Sequence, residues 1–263
     1  MPERTSYQPG TPCWIDLGTP DIEASQAFYG GLFGWQGHTS PDPATGGYTM
    51  MTLGAGGTGP VAALMPHVVT GQPVAWVTYV SVEDLDEVVK AVGPAGGQVL
   101  MEPMDILDQG RMTIFADALG AVLGAWQPGE FPGAGVMNEP GTYCWSELAC
   151  RDTAAAEAFY GTVFGWRAHA RGGPGTGYSR WSVQDGPPIG GMIQLDGRWP
   201  GDVAPHWMVY FAVQDCDGVA ASALELGGTV PVLPADAPFG RFAVLRDPQG
   251  GHFAVVRPSA ETD

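Results

Sequence analysis

The sequence predicts an α+β fold made of two tandem copies of one domain, and three observations indicate it. Residues 13–35 match residues 144–166 without a gap, so that Trp14 corresponds to Trp145 at an offset of 131 (145 − 14 = 131). A second stretch, which begins at Trp76, recurs at the same offset. Each copy also shows the same order of strand and helix patterns. A fixed internal period indicates one structural unit that is used twice.

Each copy begins with a strand and an amphipathic helix. In the first strand the side chains alternate between two faces, which places Trp14 and Asp16 on the same side. Thr19 and Pro20 are typical of a helix N-terminus, with threonine as the N-cap and proline in the first turn. An apolar stripe then runs to Gly34, and glycine commonly ends helices.

Short strands and a second helix complete the copy. We predict strands at residues 48–53, 61–65, 75–82, 98–100, 112–116 and 121–126, and a helix that Asp84 caps. The glycine-rich stretch 54–59 lacks the strand-to-helix context of a phosphate loop, so it is interpreted as a hairpin turn. In the second copy, helices are predicted at residues 153–164 and 215–226. We interpret each copy as two β-α-β-β-β modules.

The chain is long enough for two domains of roughly 130 residues. We place them at residues 10–128 and 143–258, joined by a linker at 129–142 that is rich in proline and glycine. Cysteine spacing shows neither a zinc pattern nor a CxxC pair. Reduced, buried thiols are therefore expected at Cys13, Cys144, Cys150 and Cys216.

Charge and hydropathy limit the partners and the location. The formal net charge is −17 and Lys90 is the only lysine, which argues against nucleic acid or an anionic membrane as a partner. No apolar stretch is long enough to span a membrane, and the N-terminus lacks the apolar core of a signal peptide. We therefore expect a cytoplasmic protein with a small-molecule ligand, as a monomer or a homodimer.

The repeated motif resembles the vicinal oxygen chelate superfamily, which contains glyoxalases, bleomycin resistance proteins and extradiol dioxygenases. The motif AFYGxxFGW, which ends at Trp35 and Trp166, and the DPQG turn at 247–250 carry the resemblance. It covers about residues 10–128 and 140–257, and is most similar to two-domain actinobacterial members labelled as hydroxylases or glyoxalase-like proteins. It implies that both modules of a domain curl their strands, as one curved mixed sheet, around a cup that binds small ligands.

The same resemblance implies four metal-ligand positions in each cup, and this chain departs from them. Metal-dependent members carry histidines on the first strand of each module and carboxylates on two further strands. Here these positions fall on Trp14, Val77, Gly124 and the stretch 61–65, and on Trp145, Met208, Ala254 and the stretch 191–195. A divalent ion needs about three converging N, O or S ligands. We therefore expect no metal and no cofactor in either cup.

Alternation along the strands places aromatic and acidic side chains in the cups instead. The first cup is expected to contain Trp14, Asp16, Tyr79, Val122 and Trp126. The second is expected to contain Trp145, Glu147, Tyr210, His252 and Val256. Such aromatic walls suit a planar organic ligand, although the same side chains could simply fill the cup as core. The second cup should be roomier, because valine replaces tryptophan, and we expect it to be the principal site.

The polar residues of the cups have two interpretations each. A carboxylate inside a cup is costly unless it is paired. Asp16 and Glu147 could form salt bridges to the repeat-equivalent Arg111 and Arg241, or they could contact a ligand or act as a base. His252 is either a structural histidine or an acid/base group. The candidate catalytic residues are Asp16, Glu147 and His252, and the candidate ligand-binding residues are Trp14, Tyr79, Arg111, Trp126, Trp145, Tyr210 and Arg241.

Three functions are compatible with these residues. The first is the binding of a small hydrophobic or aromatic metabolite or antibiotic without a metal. The second is a metal-independent enzyme of isomerase, lyase or hydroxylase type that uses a cup carboxylate or histidine for proton transfer. The third is a structural or interaction protein whose cups are filled by core side chains.

Overall fold

The computed structural model describes residues 4–54, 59–69, 71–171, 177–197 and 199–259. The glycine-rich turn that we predicted at 54–59 falls mostly on residues 55–58, which lie outside the described residues. In the described ranges, all four thiols are free, and Cys144 is the one that is only partly buried. None of the described helices is long and apolar enough to cross a membrane.

The first domain contains eight strands and two helices. They are β1 (Pro12–Thr19), α1 (Ile22–Phe33), β2 (Trp35–Thr39), β3 (Thr49–Leu53), β4 (Pro60–Pro66), β5 (Ala75–Ser81), α2 (Leu85–Val92), β6 (Gln98–Ile106), β7 (Gly110–Ala116) and β8 (Val122–Pro128). The second domain repeats the order. Its elements are β9 (Tyr143–Cys150), α3 (Thr153–Phe164), β10 (Trp166–Ala170), β11 (Tyr178–Val183), β12 (Pro188–Gln194), β13 (His206–Ala212), α4 (Cys216–Glu225), β14 (Thr229–Ala237), β15 (Gly240–Arg246) and β16 (His252–Pro258).

Both domains have the same mixed sheet. The strand orders are β2-β3-β4-β1-β5-β8-β7-β6 and β10-β11-β12-β9-β13-β16-β15-β14. In the first sheet, β1 and β5 are antiparallel at the centre, and each has a parallel neighbour, β4 or β8, on its other side. The predicted α+β fold, with two β-α-β-β-β modules in each of two tandem domains, is confirmed.

One local prediction is wrong, and one strand was not located. The N-cap of α1 is Asp21 and not Thr19, and its side chain accepts a hydrogen bond from Ala24 N at 3.0 Å. A carboxylate is a strong acceptor for the free N–H groups of a first turn, whereas Thr19 remains in β1 with its hydroxyl 2.8 Å from that of Ser25. A further strand, β2, begins directly after the helix at Trp35, where the sequence analysis gave no strand bounds.

Two hydrophobic cores lie between the sheets, and each core takes side chains from both domains. One core joins α1 with α4 and contains Tyr29 and Phe253. The other joins α2 with α3 and contains Phe115 and Tyr160. The helix-bearing faces of the two sheets therefore pack against each other, and the cups lie on the opposite face of each sheet.

A tyrosine of each first helix forms a hydrogen bond across the domain boundary. The Tyr29 hydroxyl donates to Asp247 Oδ2 at 2.9 Å and accepts from the Trp76 indole at 3.1 Å. Its repeat counterpart Tyr160 donates to Asp117 Oδ2 at 2.8 Å. The two domains are thus joined by polar contacts as well as by shared apolar cores.

The linker covers the first cup. Phe131 packs edge-on against Trp14, with ring centroids 4.9 Å apart, and its carbonyl oxygen accepts a hydrogen bond from Trp126 Nε1 at 2.8 Å. Further along, Ala134 N donates to Cys13 O at 2.8 Å, beside β1. The linker is therefore part of the wall of the first cup.

Candidate functional site

The first cup is built around a buried carboxylate. Strand β1 holds Trp14 and Asp16, and β5 places Tyr79 directly opposite Trp14. Asp16 is 4% exposed, and its Oδ2 accepts hydrogen bonds from the hydroxyls of Tyr79 at 3.0 Å and Tyr48 at 3.3 Å. Tyr48 in turn accepts from Trp14 Nε1 at 2.8 Å. These four side chains form a connected group that we call the tetrad.

The second cup contains the corresponding tetrad. Glu147 is 9% exposed, and its Oε1 accepts from the Tyr210 hydroxyl at 3.0 Å. Tyr178 is hydrogen-bonded to Glu147 and to Trp145. The sequence analysis missed Tyr178 and its counterpart Tyr48. The signal was present, because the two tyrosines lie at an offset of 130 (178 − 48 = 130), close to that of the repeat.

Both carboxyl groups titrate near neutral pH. Burial raises the pKa of Asp16 from 3.8 to about 7, and hydrogen bonds from Tyr79 and Tyr48 oppose the rise. Burial likewise raises the pKa of Glu147 from 4.5 to about 7. The pKa of Tyr210 is well above its usual value, because the ring is buried beside Glu147, so its hydroxyl remains a donor. Each cup therefore holds a carboxyl group that can gain or lose a proton near pH 7.

Comparison with known sequences assigns both halves to related families. The family described as Glyoxalase/Bleomycin resistance protein/Dioxygenase superfamily matches residues 13–123, and the family described as Glyoxalase-like domain matches residues 145–256. The chain is 43% identical to a Mycobacterium tuberculosis protein named "Putative glyoxylase CFP32" over 264 residues. The matched residues cover 99% of this chain and 100% of that protein. The chain belongs to the glyoxalase/bleomycin resistance protein/dioxygenase superfamily.

Other known proteins are similar over nearly the whole chain. The "Anthracycline biosynthesis protein DnrV" of Streptomyces peucetius is 41% identical over 266 residues, which cover 96% of this chain and 94% of that one. The structure of the 2,3-dioxygenase LapB from Pseudomonas sp. KL28 has a TM-score of 0.62 at 12% identity, with 98% and 97% coverage. The structure of the Mn(II)-bound glyoxalase from Novosphingobium aromaticivorans has a TM-score of 0.62 at 15% identity, and the match covers 97% of this chain and 83% of that one. The sequence identities to these two structures, 12% and 15%, are so low that they show a shared fold only.

The tetrads do not fit the metal site that the superfamily fold implies. Within the ranges that the structure describes, no three His, Cys, Asp or Glu side chains converge. A Cβ atom on Gly124, one of the positions of a ligand carboxylate, would lie 2.3 Å from the ring of Tyr79. A tyrosine ring therefore occupies the space of that side chain. One carboxylate among protonated tyrosines is a poor donor set for a divalent ion.

Arg111 and Arg241 do not line the cups, so the predicted salt bridges to the cup carboxylates are wrong. Arg111 Nη2 lies 3.2 Å from Asp86 of α2, and Arg241 Nε lies 2.6 Å from Asp217 of α4. The reason is the register of β7 and β8, which pairs Met112 with Trp126 and so turns Arg111 to the helix side. Nothing in the periodicity of a single strand reveals this pairing.

His252 lies on the cup face of β16, two residues before Ala254, which pairs with Tyr210 of the tetrad. It is exposed at the start of the strand, opposite Arg246, and shares its face with Ala254 and Val256. Partial burial and the charge of Arg246 lower its pKa, so it is neutral at pH 7. Its role as an acid or base stays a prediction.

The two cups differ in how far their tetrads are covered. Trp14 is 5% exposed, because Trp126 and Phe131 pack beside it. In the second cup, Val256 stands in place of Trp126, and Trp145 is only partly buried. The second tetrad is thus the more accessible of the two.

Proposed function

We propose that the protein binds a small, planar, hydrophobic or aromatic metabolite or antibiotic in its second cup, without a metal ion. The difference between the cups carries this proposal. Both cups hold the same tetrad, but the linker supplies Phe131 as an aromatic cover for Trp14 only. Trp145 stays partly exposed beside Glu147, and a planar ligand can pack against its ring, as Phe131 packs edge-on against Trp14.

Two further observations support an aromatic ligand. Aromatic and aliphatic side chains, Phe239, Phe242 and Val244 among them, pack around Tyr210 and leave few polar atoms to satisfy. One relative is named an anthracycline biosynthesis protein, which suggests fused-ring phenols as the first compounds to try. The naphthols and 1,8-dihydroxyanthraquinone are therefore suitable probes.

Removal of the Trp145 ring should weaken binding strongly. We expect the affinity for 2-naphthol or 1,8-dihydroxyanthraquinone to fall at least about 30-fold in Trp145→Ala, because aromatic residues at the centre of a contact often contribute about 2 kcal/mol or more. Isothermal titration calorimetry measures this loss. Trp14→Phe is the matched control in the covered cup and should bind like the wild type. A loss confined to Trp14→Phe would show that the first cup is the main site.

A second candidate function is proton transfer, and the raised pKa of Glu147 favours it. A base with a pKa of about 7 is half ionised at neutral pH and can both take and return a proton. Tyr210 and Tyr178 each donate their hydroxyl hydrogen to the carboxylate and so hold it in place. An aromatic compound with an acidic C–H next to a carbonyl group would be a suitable substrate.

Exchange of the α-protons of 2-tetralone in D₂O tests the second function by NMR. Because the base must be ionised, we expect the catalysed rate to rise with pH and to level off above about pH 7. Glu147→Gln should abolish the catalysed exchange and retain binding. If the wild type binds 2-tetralone and exchanges no protons above the buffer rate, binding alone remains as the function.

A further inference from the structure

Arg180 is a charged side chain of the second cup that the first cup lacks. It lies on β11, at the position that Met50 holds on β3 (180 − 50 = 130). Met50 packs into the apolar lining of the first cup. The sequence analysis did not single out Arg180, because the repeat comparison draws attention to identical residues and this pair differs.

Strand register places Arg180 on the cup face. Arg180 pairs with Gly191 on β12, and Gly191 pairs with Glu147 on β9. Residues that are opposite one another on neighbouring strands project to the same side of a sheet. Arg180 and Glu147 therefore lie in one row, two strand spacings or about 10 Å apart, with a glycine between them.

Arg180 is partly buried and lacks an acidic partner in the described part of the chain. Its positive charge reaches Tyr178, the tetrad member on the same strand, and opposes the rise in the pKa of that tyrosine. By contrast, Arg111, Arg167 and Arg241 each pair with at least one aspartate. A partly buried guanidinium without a counter-charge is a strong binding group for an anion.

A groove opens beside Arg180. Its volume is about 320 Å³, and the polar and charged side chains that line it are His169, Arg171, Arg180, Ser182 and Asp185. The Ser182 hydroxyl donates to Gln184 O at 2.8 Å, so its oxygen accepts from His169 Nε2, which lies 2.9 Å away. That N–H of His169 is therefore already used, whereas the Arg180 guanidinium offers donors to a ligand on the cup face.

We propose that Arg180 binds the carboxylate of an aromatic acid whose ring system lies against Trp145 in the second cup. This inference rests on the proposed function and names its ligand class. A planar guanidinium can form two parallel hydrogen bonds to a carboxylate. The spacing of the row suits a two-ring compound that presents a hydroxyl to Glu147 and an acid group to Arg180.

Titration of 2-naphthol and 6-hydroxy-2-naphthoate tests the proposal, since the two probes differ only by the acid group. We expect the acid to bind the wild type about 10- to 100-fold more tightly than the naphthol, as is usual for a hydrogen-bonded charge pair. In Arg180→Met, which copies the first cup, this advantage should vanish while the affinity for 2-naphthol stays unchanged. Arg180→Lys should retain part of it, because lysine keeps the charge but loses the paired geometry.

Lys90→Met is the control for the loss of a positive charge, since Lys90 is exposed on α2 of the first domain and pairs with Glu87. It should leave both affinities unchanged. The proposal is overturned if the acid binds the wild type no better than the naphthol, or if Arg180→Met keeps the advantage. Those results would leave the proposed function standing. If neither probe, nor 1,8-dihydroxyanthraquinone, binds the wild type, the proposed function falls and this inference with it.

Discussion

Asp16→Asn should stabilise the protein at pH 8 and have a much smaller effect at pH 5. The wild-type carboxylate is buried without a cation beside it, and its pKa is about 7 when folded against 3.8 in the reference state. Both neighbouring tyrosines donate to the same oxygen, Oδ2, which an asparagine carbonyl can replace. The substitution therefore keeps the hydrogen bonds and removes the charge.

The direction of this pH dependence of stability follows from proton binding. Between pH 3.8 and about 7, the folded protein holds a proton on Asp16 that the unfolded chain has released, so stability falls as the pH rises. Below pH 3.8 Asp16 is protonated in both the folded and the unfolded protein, and above about pH 7 it is ionised in both, so stability falls no further. From pH 5 to pH 8, the advantage of Asp16→Asn over the wild type should grow by about 3 kcal/mol.

Urea denaturation of both proteins at the two pH values measures this difference. Glu147 contributes equally to the wild type and the variant, so its own titration cancels. Asp108→Asn, at an exposed position, is the control and should show no such pH dependence. A stability difference between Asp16→Asn and the wild type that is the same at pH 5 and pH 8 would mean that Asp16 is already ionised at pH 5.

Asp247→Ala should cost about 4–5 kcal/mol and lower the stability of both domains together. Asp247 is 5% exposed, and its Oδ1 accepts from the backbone N–H groups of Gln249, Gly250 and Gly251 at 2.9, 2.8 and 2.8 Å. Its Oδ2 accepts from Tyr29 of the other domain at 2.9 Å. Each donor left without a partner costs about 1–3 kcal/mol, less where water can enter.

Thermal unfolding followed by calorimetry and by tryptophan fluorescence tests this expectation. Because each core contains side chains of both domains, we expect one transition that shifts as a unit in the variant. Asp185→Ala, at an exposed aspartate, should change stability by less than about 0.5 kcal/mol. Two separate unfolding transitions, of which only that of the second domain is shifted in Asp247→Ala, would show that the domains fold independently.

Much of the fold followed from the sequence because the repeat and the strand periodicity are local patterns. Alternation correctly placed Trp14 and Asp16 together, and the helix capped by Asp84 begins where predicted, at Leu85. The shared cores could not be predicted in this way. An apolar stripe shows that a helix face is buried, but not that α1 packs against α4 of the other domain.

The candidate site was predicted in part. Residues on the central strands were found, because one strand fixes which of its side chains share a face. Tyr48 and Tyr178 lie on neighbouring strands, and only the pairing of strands brings them to the carboxylates. The same dependence on register explains why Arg111 was wrongly predicted to line the cup. Its neighbour Met112 pairs with Trp126 on the cup face, so Arg111 points to the helix side.

The shared cores also bear on how the two halves of a duplicated gene can diverge. Neither half can be lost, since its partner would expose the apolar face that Phe253 and Phe115 now fill. Three pairs of residues that join the domains are identical in the two copies: Tyr29 with Tyr160, Trp76 with Trp207, and Asp247 with Asp117. On the cup faces they differ, with Met50 against Arg180 and Trp126 against Val256. Each half thus completes the core of the other, while the two outward-facing cups carry different side chains.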